Sequence, residues 1–364
     1  MNQHGGGINR IVRLSNLHID NIVKEFKNEN EKAFDPSEKI TNQVFMIIIG
    51  LIIGEDTPVY EDDRNFARRW IEDLEKLTTS PSFYLMAFLP WTRHLWTCPA
   101  FEILTSLMKQ RNELFTLWIQ RFRGRKQESE RYERCILGEL LRAEDEGRIS
   151  NEAIYGILGD SFNAGIFTTF TTISGFLIAL INYPDVQDKL HKEIDRVIGR
   201  DMQPALSDRE KMPYMEAAIL ETLRYMSMVP LGIPHKTTRD TKISGCHLPK
   251  GTQVWMNLYG MHHDSRYFIL DPNVFNPGRF LDSEGNLVSK EERKKVLAFG
   301  AGRRVCMGEV LAKVRIFLTL TQLLHKFVFL PDDPERVIPF DMKSFVNTPM
   351  ALMAPKFKII AKVR

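Results

Sequence analysis

The strongest chemical signal in this chain is a cysteine set in a glycine-rich turn, Phe299-Gly300-Ala301-Gly302-Arg303-Arg304-Val305-Cys306-Met307-Gly308. Cys306 stands between Gly302 and Gly308, two residues after Arg304, and a helical pattern begins near Glu309. Glycines let a backbone approach a flat ligand and turn sharply. Free N–H groups and the dipole at a helix start favour negative charge, which suits a thiolate. A thiolate can hold a heme iron axially and push electron density onto it, favouring O–O cleavage. Without a ligand, the same segment reads as a buried free cysteine in a turn.

Phe299, Gly302, Arg304, Cys306 and Gly308 together resemble the cysteine-ligand loop of the cytochrome P-450 family. The resemblance is strong from about Asn151 to the C-terminus and weak before it. It implies a mainly α fold with small β-sheets, lacking the family's N-terminal anchor and first helices. It implies heme b with its iron ligated by Cys306, and Arg304 beside a heme propionate. It also implies one catalytic domain over residues 1–364. The stretch Ala164-Gly165-Ile166-Phe167-Thr168-Thr169 matches the family's Ala-Gly-x-acid-Thr pattern. By that resemblance Ala164 and Gly165 open a groove over the heme, and Thr168 is catalytic, helping to deliver protons. Phe167 replaces the usual acid, and a phenyl ring cannot relay a proton. Read from the residues alone, this is a buried helix whose threonines bond back to their own carbonyls. His235, in Ile233-Pro234-His235-Lys236, matches the position that reaches a second propionate, where a donor suits the carboxylate.

Glu221 and Arg224 lie three apart on one helix and can share a face. Glu61/Arg64, Glu128/Arg131, Glu139/Arg142 and Glu193/Arg196 repeat that spacing and read as solvated ion pairs. Glu221 differs because its surroundings are apolar and because Pro277-Gly278-Arg279-Phe280 follows. The resemblance implies a buried structural triad of Glu221, Arg224 and Arg279. His262 and His263 are adjacent, so on a helix they point apart, with no third ligand at useful spacing; both read as structural. Segments around Val229, Leu231 and Ile233, and around Val346 and Thr348, match the family's substrate walls and with Ala164 make an apolar cavity. Within the family, the run from Ile233 to Leu281 is most similar to steroid 17-alpha-hydroxylase/17,20-lyase and its relatives.

The elements that must position these groups follow from the pattern. Residues 8–142 read as successive amphipathic helices with loops at Pro58, Pro81, Pro90 and Pro99. Residues 121–134 form a basic, solvated helix end and loop. A long helix over 151–183 is ended by Pro184, followed by helices over 185–197 and 211–226. Strands over 242–248 and 252–257 are joined by the turn Pro249-Lys250-Gly251. A long helix covers 309–329, and the tail 344–363 alternates like short strands.

Net charge is +3, with 49 basic and 46 acidic residues, a balance that does not point to nucleic-acid binding. Cys98, Cys135, Cys246 and Cys306 lie far apart with no paired motif, as in a reduced compartment. Residues 1–7 are neither a signal peptide nor an anchor. The run 44–54 is too short to span a bilayer and reads as a core helix. The resemblance implies a monooxygenase fed by NADPH-cytochrome P-450 reductase, with cytochrome b5 as a further candidate partner. It inserts one oxygen atom from O2 into a lipophilic substrate, for which a steroid is the narrower candidate. It sits on the cytoplasmic face of the endoplasmic reticulum, with membrane association in the full-length protein. The alternatives are a reductase-independent lipid isomerase or dehydratase of the same family, kept open by Phe167, and a non-catalytic truncated member. Lys294, Lys295, Arg303, Lys313 and Arg315 lie near Cys306 and could form a basic face for an acidic reductase.

Overall fold

The computed structural model describes residues 6–55, 58–94, 98–125, 135–341, 343–347 and 351–364. Arg131 and Thr348 lie outside the described residues. The helices are α1 (Gly6–Lys27), α2 (Ser37–Ile53), α3 (Glu61–Thr79), α4 (Pro81–Phe88), α5 (Pro99–Arg125), α6 (Ile136–Asp145), α7 (Asn151–Asn182), α8 (Pro184–Val197), α9 (Pro213–Met226), α10 (Leu258–His262), α11 (Lys290–Arg293) and α12 (Glu309–Lys326). Short strands fill the second half: β1 (His235–Lys236), β2 (Thr241–Ile243), β3 (Cys246–Leu248), β4 (Gln253–Val254), β5 (Phe327–Pro331), β6 (Val346–Asn347), β7 (Leu352–Met353) and β8 (Ile359–Val363). The fold is mainly α with small β-sheets, as the pattern predicts.

Helix α7 is the axis of the core. Ser150 starts it by accepting the Ala153 N–H at 3.3 Å, and Pro184 cannot continue it and opens α8 instead. It is the one helix among the described residues long and apolar enough to cross a membrane, yet 78% of its apolar window is buried. It packs on α2, α9 and α12. Helix α2 carries the apolar run 44–54, with Ile47, Ile49 and Ile53 fully buried, so that run is a core helix.

Three expectations are corrected. The strand expected over 242–248 is itself a hairpin, β2 on β3, because Ser244 and Gly245 take φ of 48° and 83°. Two positive φ values in a row make the tight turn that matches strand twist. Strand β4 therefore pairs with β1 instead, antiparallel. Helix α12 stops at Lys326 rather than continuing to 329, because Phe327–Pro331 pairs with β8. Gln187 holds β5 through both its amide atoms, donating to the Phe329 carbonyl at 2.9 Å and accepting its N–H at 2.7 Å. Glu193 is no solvated pair: its carboxylate is buried and accepts the N–H groups of Tyr214 and Met215, capping the first turn of α9. Its neighbour-spacing match to Arg196 is a loose contact of 3.8 Å.

Buried and half-buried imidazoles set an expected acid sensitivity. Burial, reinforced by Arg64, pushes His18 down to about 4. Burial, reinforced by Arg364, pushes His191 down to about 4. Burial, with Arg224 next in effect, pushes His262 down to about 3. A base whose folded pKa is depressed binds fewer protons folded than unfolded. Its stabilising contribution is complete above the unfolded value of 6.5 and is lost as pH falls toward the folded one. Glu25 and Glu193, raised by burial, act in the opposite sense and offset part of this. The expected result is a denaturation midpoint that drops between pH 6.5 and 4, at about 1.4 kcal/mol per pH unit for each net proton taken up. A flat midpoint across that window would contradict the burial of these rings.

Candidate functional site

The loop that leads into α12 is built from local main-chain bonds. The Gly300 N–H donates to the Leu297 carbonyl at 2.9 Å, and the Cys306 N–H returns to the Phe299 carbonyl at 2.8 Å. Gly300 and Gly302 take φ of 73° and 70°, a conformation that costs other residues energy. Gly300 is the glycine the motif reading passed over. Gly308 has an ordinary φ of −88° and needs no glycine for its backbone. A Cβ there would lie 3.7 Å from the Cys306 Sγ, so Gly308 keeps the sulfur's flank low. Cys306 itself is exposed, as are Arg304 in the short turn Gly302–Arg304 and His235 on β1. Val305 and Met307 on either side of the sulfur are 43% and 94% exposed, an apolar rim beside a thiol.

Beside this loop lies a small cleft. Thr168, Thr169 and Thr172 of α7 line one side; Ala298, Phe299, Ala312 and Ile316 line another. Leu223, Met226, Ser227, Met228, Val229, Leu258 and His262 complete it. Thr168 and Phe299, distant in sequence, thus share one cavity. The Thr168 hydroxyl donates to the Ala164 carbonyl at 2.6 Å, and the Thr172 hydroxyl to the Thr168 carbonyl at 2.8 Å. This is the back-bonding that the residues alone allowed. Because the Thr168 proton is already given away, its oxygen offers lone pairs as an acceptor. Ala164 is exposed on the same helix. Gly165 points elsewhere: a Cβ on it would stand 2.4 Å from Cδ1 of Ile48, so its smallness serves the crossing of α2 over α7 and not a groove. Of the expected walls, Val229 lines the cleft, while Leu231 and Ile233 are 42% and 59% exposed. Val346 lies on β6, whose partner β7 is tied to this region by the Leu352 N–H on the Met228 carbonyl at 2.7 Å.

On α9 and the turn Pro277–Phe280 the structure brings Glu221, Arg224 and Arg279 together. Arg224 is fully buried and donates to both Glu221 oxygens, from Nε at 2.7 Å and Nη2 at 2.8 Å. Its Nη1 reaches the main-chain carbonyls of His262 at 2.6 Å and Pro272 at 2.9 Å. Arg279 approaches the same carboxylate at 2.9 Å and gives its remaining donors to the carbonyls of Leu270, Asp271 and Val274. The Asn276 N–H adds a further bond to Glu221 at 2.8 Å. A buried charge cluster holds only when every member is satisfied, as here.

The basic face near Cys306 is smaller than the sequence predicts. Arg315 is 1% exposed, because residues two apart on a helix diverge by about 200° and Lys313 holds the outer side. Its guanidinium reaches the carbonyls of Gly165 at 3.3 Å and Val44 at 3.2 Å, clipping α12 to α7 and α2, and burial alone pulls it down to about 9. Lys295 is paired with Glu292, and Lys313 with Glu309 while lying over the Phe299 ring. Lys294 and Arg303 stay exposed. Among the described residues no group of three acidic, cysteine or histidine side chains is arranged to hold a metal ion. A lone thiol beside an apolar cleft is the donor set.

A family model described as "Cytochrome P450" matches residues 1–358. Cytochrome P450 1A2 of Rattus norvegicus is 36% identical over 309 residues, covering 81% of this chain and 58% of that protein. Cytochrome P450 1A2 of Homo sapiens is 36% identical over 310 residues, with 81% and 57% covered. Cytochrome P450 1A5 of Gallus gallus is 43% identical over 206 residues, with 56% and 38% covered. The chain therefore spans less than two thirds of the length of these relatives.

Proposed function

Because the chain belongs to the cytochrome P450 family, we propose that it is a heme-thiolate monooxygenase that inserts one atom of O2 into a lipophilic substrate. Electrons come from NADPH through NADPH-cytochrome P-450 reductase, with cytochrome b5 as a second donor. Members of this family use a heme whose iron is held by a cysteine, and heme b supplies the oxygen chemistry when bound. The observation that carries the reading is the shared cleft of Thr168 and Phe299, whose carbonyl holds the Cys306 amide.

The residues present fit that group. An exposed thiol with an apolar rim suits an iron set in a large apolar ring, and the donors Arg304 and His235 suit its carboxylates. Cys306 would hold the iron, and Arg304 and His235 the propionates. Leu223, Met226, Val229, Leu258 and Ile316 exclude water and favour an apolar guest. Thr168 Oγ1, already donating to the Ala164 carbonyl, accepts a proton donor from the cleft side. With Phe167 in place of an acid, protons enter by water along Thr168 and Thr172. Lys294 and Arg303 face the reductase on the Cys306 side.

The run from Ile233 to Leu281 supports a steroid as substrate, whereas the relatives described above carry 1A names. The cleft walls support the broader class, a lipophilic molecule. We place the protein at the endoplasmic reticulum membrane, facing the cytoplasm, on its likeness to the family. Phe167 supports a second reading, a reductase-independent isomerase or dehydratase acting on an oxygenated lipid. The test is the absorption of the purified, reduced chain under carbon monoxide, followed by turnover with and without NADPH. A thiolate-type band with NADPH-dependent product is the expected result. Absence of that band sinks the proposal, and turnover indifferent to NADPH replaces it with the second reading.

A further inference from the structure

His262 ends α10 and is fully buried, yet it lines the cleft. Its two ring nitrogens make different bonds. Nδ1 lies 2.8 Å from the Ser227 hydroxyl, and Nε2 receives the Leu297 N–H at 2.9 Å. Ser227 gives its own proton to the Arg224 carbonyl at 2.7 Å. The serine oxygen must therefore accept from Nδ1–H, which leaves Nε2 as the bare acceptor that Leu297 requires. The tautomer is thus fixed by bonding, and burial with the nearby Arg224 charge keeps the ring neutral.

Leu297 begins the segment that becomes the cysteine loop. Its carbonyl accepts from Gly300, and two residues on the Phe299 carbonyl accepts from Cys306. A continuous line of hydrogen bonds runs from the end of α9, through Ser227 and His262, to the main chain that holds Cys306. His263 takes no part: its ring stacks on Tyr259 at 4.0 Å and its Nδ1 meets the Tyr259 carbonyl.

Ser227 supplies a second, independent observation. It caps α9 in the left-handed region, φ 41° and ψ 53°, where glycine is the ordinary residue. A non-glycine there is strained and persists only when its surroundings hold it. What the serine adds over a glycine is its hydroxyl, the relay between Arg224 and His262.

We propose that His262 is a positioning residue for the Cys306 loop, acting through its Nε2 lone pair on the Leu297 amide, with Ser227 setting its tautomer. The spectroscopic part of the test rests on the reading of Cys306 as iron ligand; the amide-exchange part does not. A glutamine oxygen reaches about as far as imidazole Nε2, and an asparagine oxygen only as far as Nδ1. In the purified full chain, His262→Gln is expected to keep the Leu297 amide protected from hydrogen exchange. His262→Asn is expected to speed its exchange about tenfold, the equivalent of one lost hydrogen bond. Ser227→Gly relieves the backbone strain and so preserves the fold, yet it is expected to speed Leu297 exchange as Asn does. Under carbon monoxide, Asn and Gly variants shift from the thiolate-type toward the thiol-type band, and Gln does not. Gln and Asn behaving alike, whether both retain or both lose protection, overturns the proposal. So does wild-type exchange in Ser227→Gly. Protection that ranks Gln above Asn, in a protein with no thiolate-type band at all, supports the positioning role and counts against the iron assignment instead.

Discussion

Cys306→Ser is expected to remove the thiolate-type absorption of the reduced, carbon-monoxide-treated protein completely. Serine is the informative choice because the bond that shapes the loop is made by the Cys306 main chain, to the Phe299 carbonyl at 2.8 Å. Serine keeps that bond, and the positive φ values belong to Gly300 and Gly302. Loop geometry survives, so the loss is attributable to the sulfur. An alcohol stays protonated at neutral pH and is a hard, weak ligand beside a thiolate. The other three cysteines are the controls. Cys98 and Cys135 are buried, Cys135 caps α6 by accepting the Gly138 N–H at 3.3 Å, and Cys246 is exposed on the β2–β3 hairpin. Replacing each of them by alanine is expected to leave the band in place. Persistence of the band in Cys306→Ser, or its loss with any one of the other three, would assign the ligand elsewhere.

What is legible in the sequence is what is local. The cysteine loop is ten consecutive residues, and the glycines that shape its turn lie within it. Helix α7 was legible because a long apolar run with Ser150 before it and Pro184 after it has few other solutions. The triad was half legible. The spacing of Glu221 and Arg224 is a helical one, but the carbonyls of His262 and Pro272 that complete Arg224 come from residues far along the chain, and no pattern marks a main-chain acceptor. His262 was hidden for the same reason: its partners are a serine hydroxyl and a backbone N–H. Nearness to Cys306 in sequence does not put Arg315 on the same face, because the helical period turns it inward from Lys313. The β2–β3 turn carried a signal, Ser244-Gly245, that the more conspicuous Pro249-Lys250-Gly251 outweighed. Gly165 matched a motif whose physical reason in this chain is a different one, the side chain of Ile48.

Arg224→Ala is expected to destabilise the protein by about 3–5 kcal/mol, against about 0–1 kcal/mol for Arg142→Ala. Both residues sit three positions after a glutamate, so the comparison sets a buried, multiply bonded arginine against an exposed one. Arg142 and Glu139 form a 3.0 Å pair with side chains 39% and 55% exposed, where water competes for both charges. Arg224 and Glu221 are both fully enclosed. Deleting the Arg224 guanidinium leaves the Glu221 carboxylate with only Arg279 and the Asn276 N–H. It also strips a donor from the buried carbonyls of His262 and Pro272. Each unsatisfied group adds its own desolvation cost. A loss of this size is a large share of the 5–15 kcal/mol typical of a folded domain. Denaturant midpoints of the two variants will therefore separate widely, and equal midpoints would reject the buried network. Arg224→Lys should fall between them, since one ammonium keeps the charge but cannot serve acceptors on two sides at once. The double change Arg224→Ala with Glu221→Gln should recover part of the loss, because the stranded charge is gone although the carbonyls remain unserved. A double variant whose loss equals the sum of the two singles would mean that the residues do not interact, and the buried network would have to be abandoned.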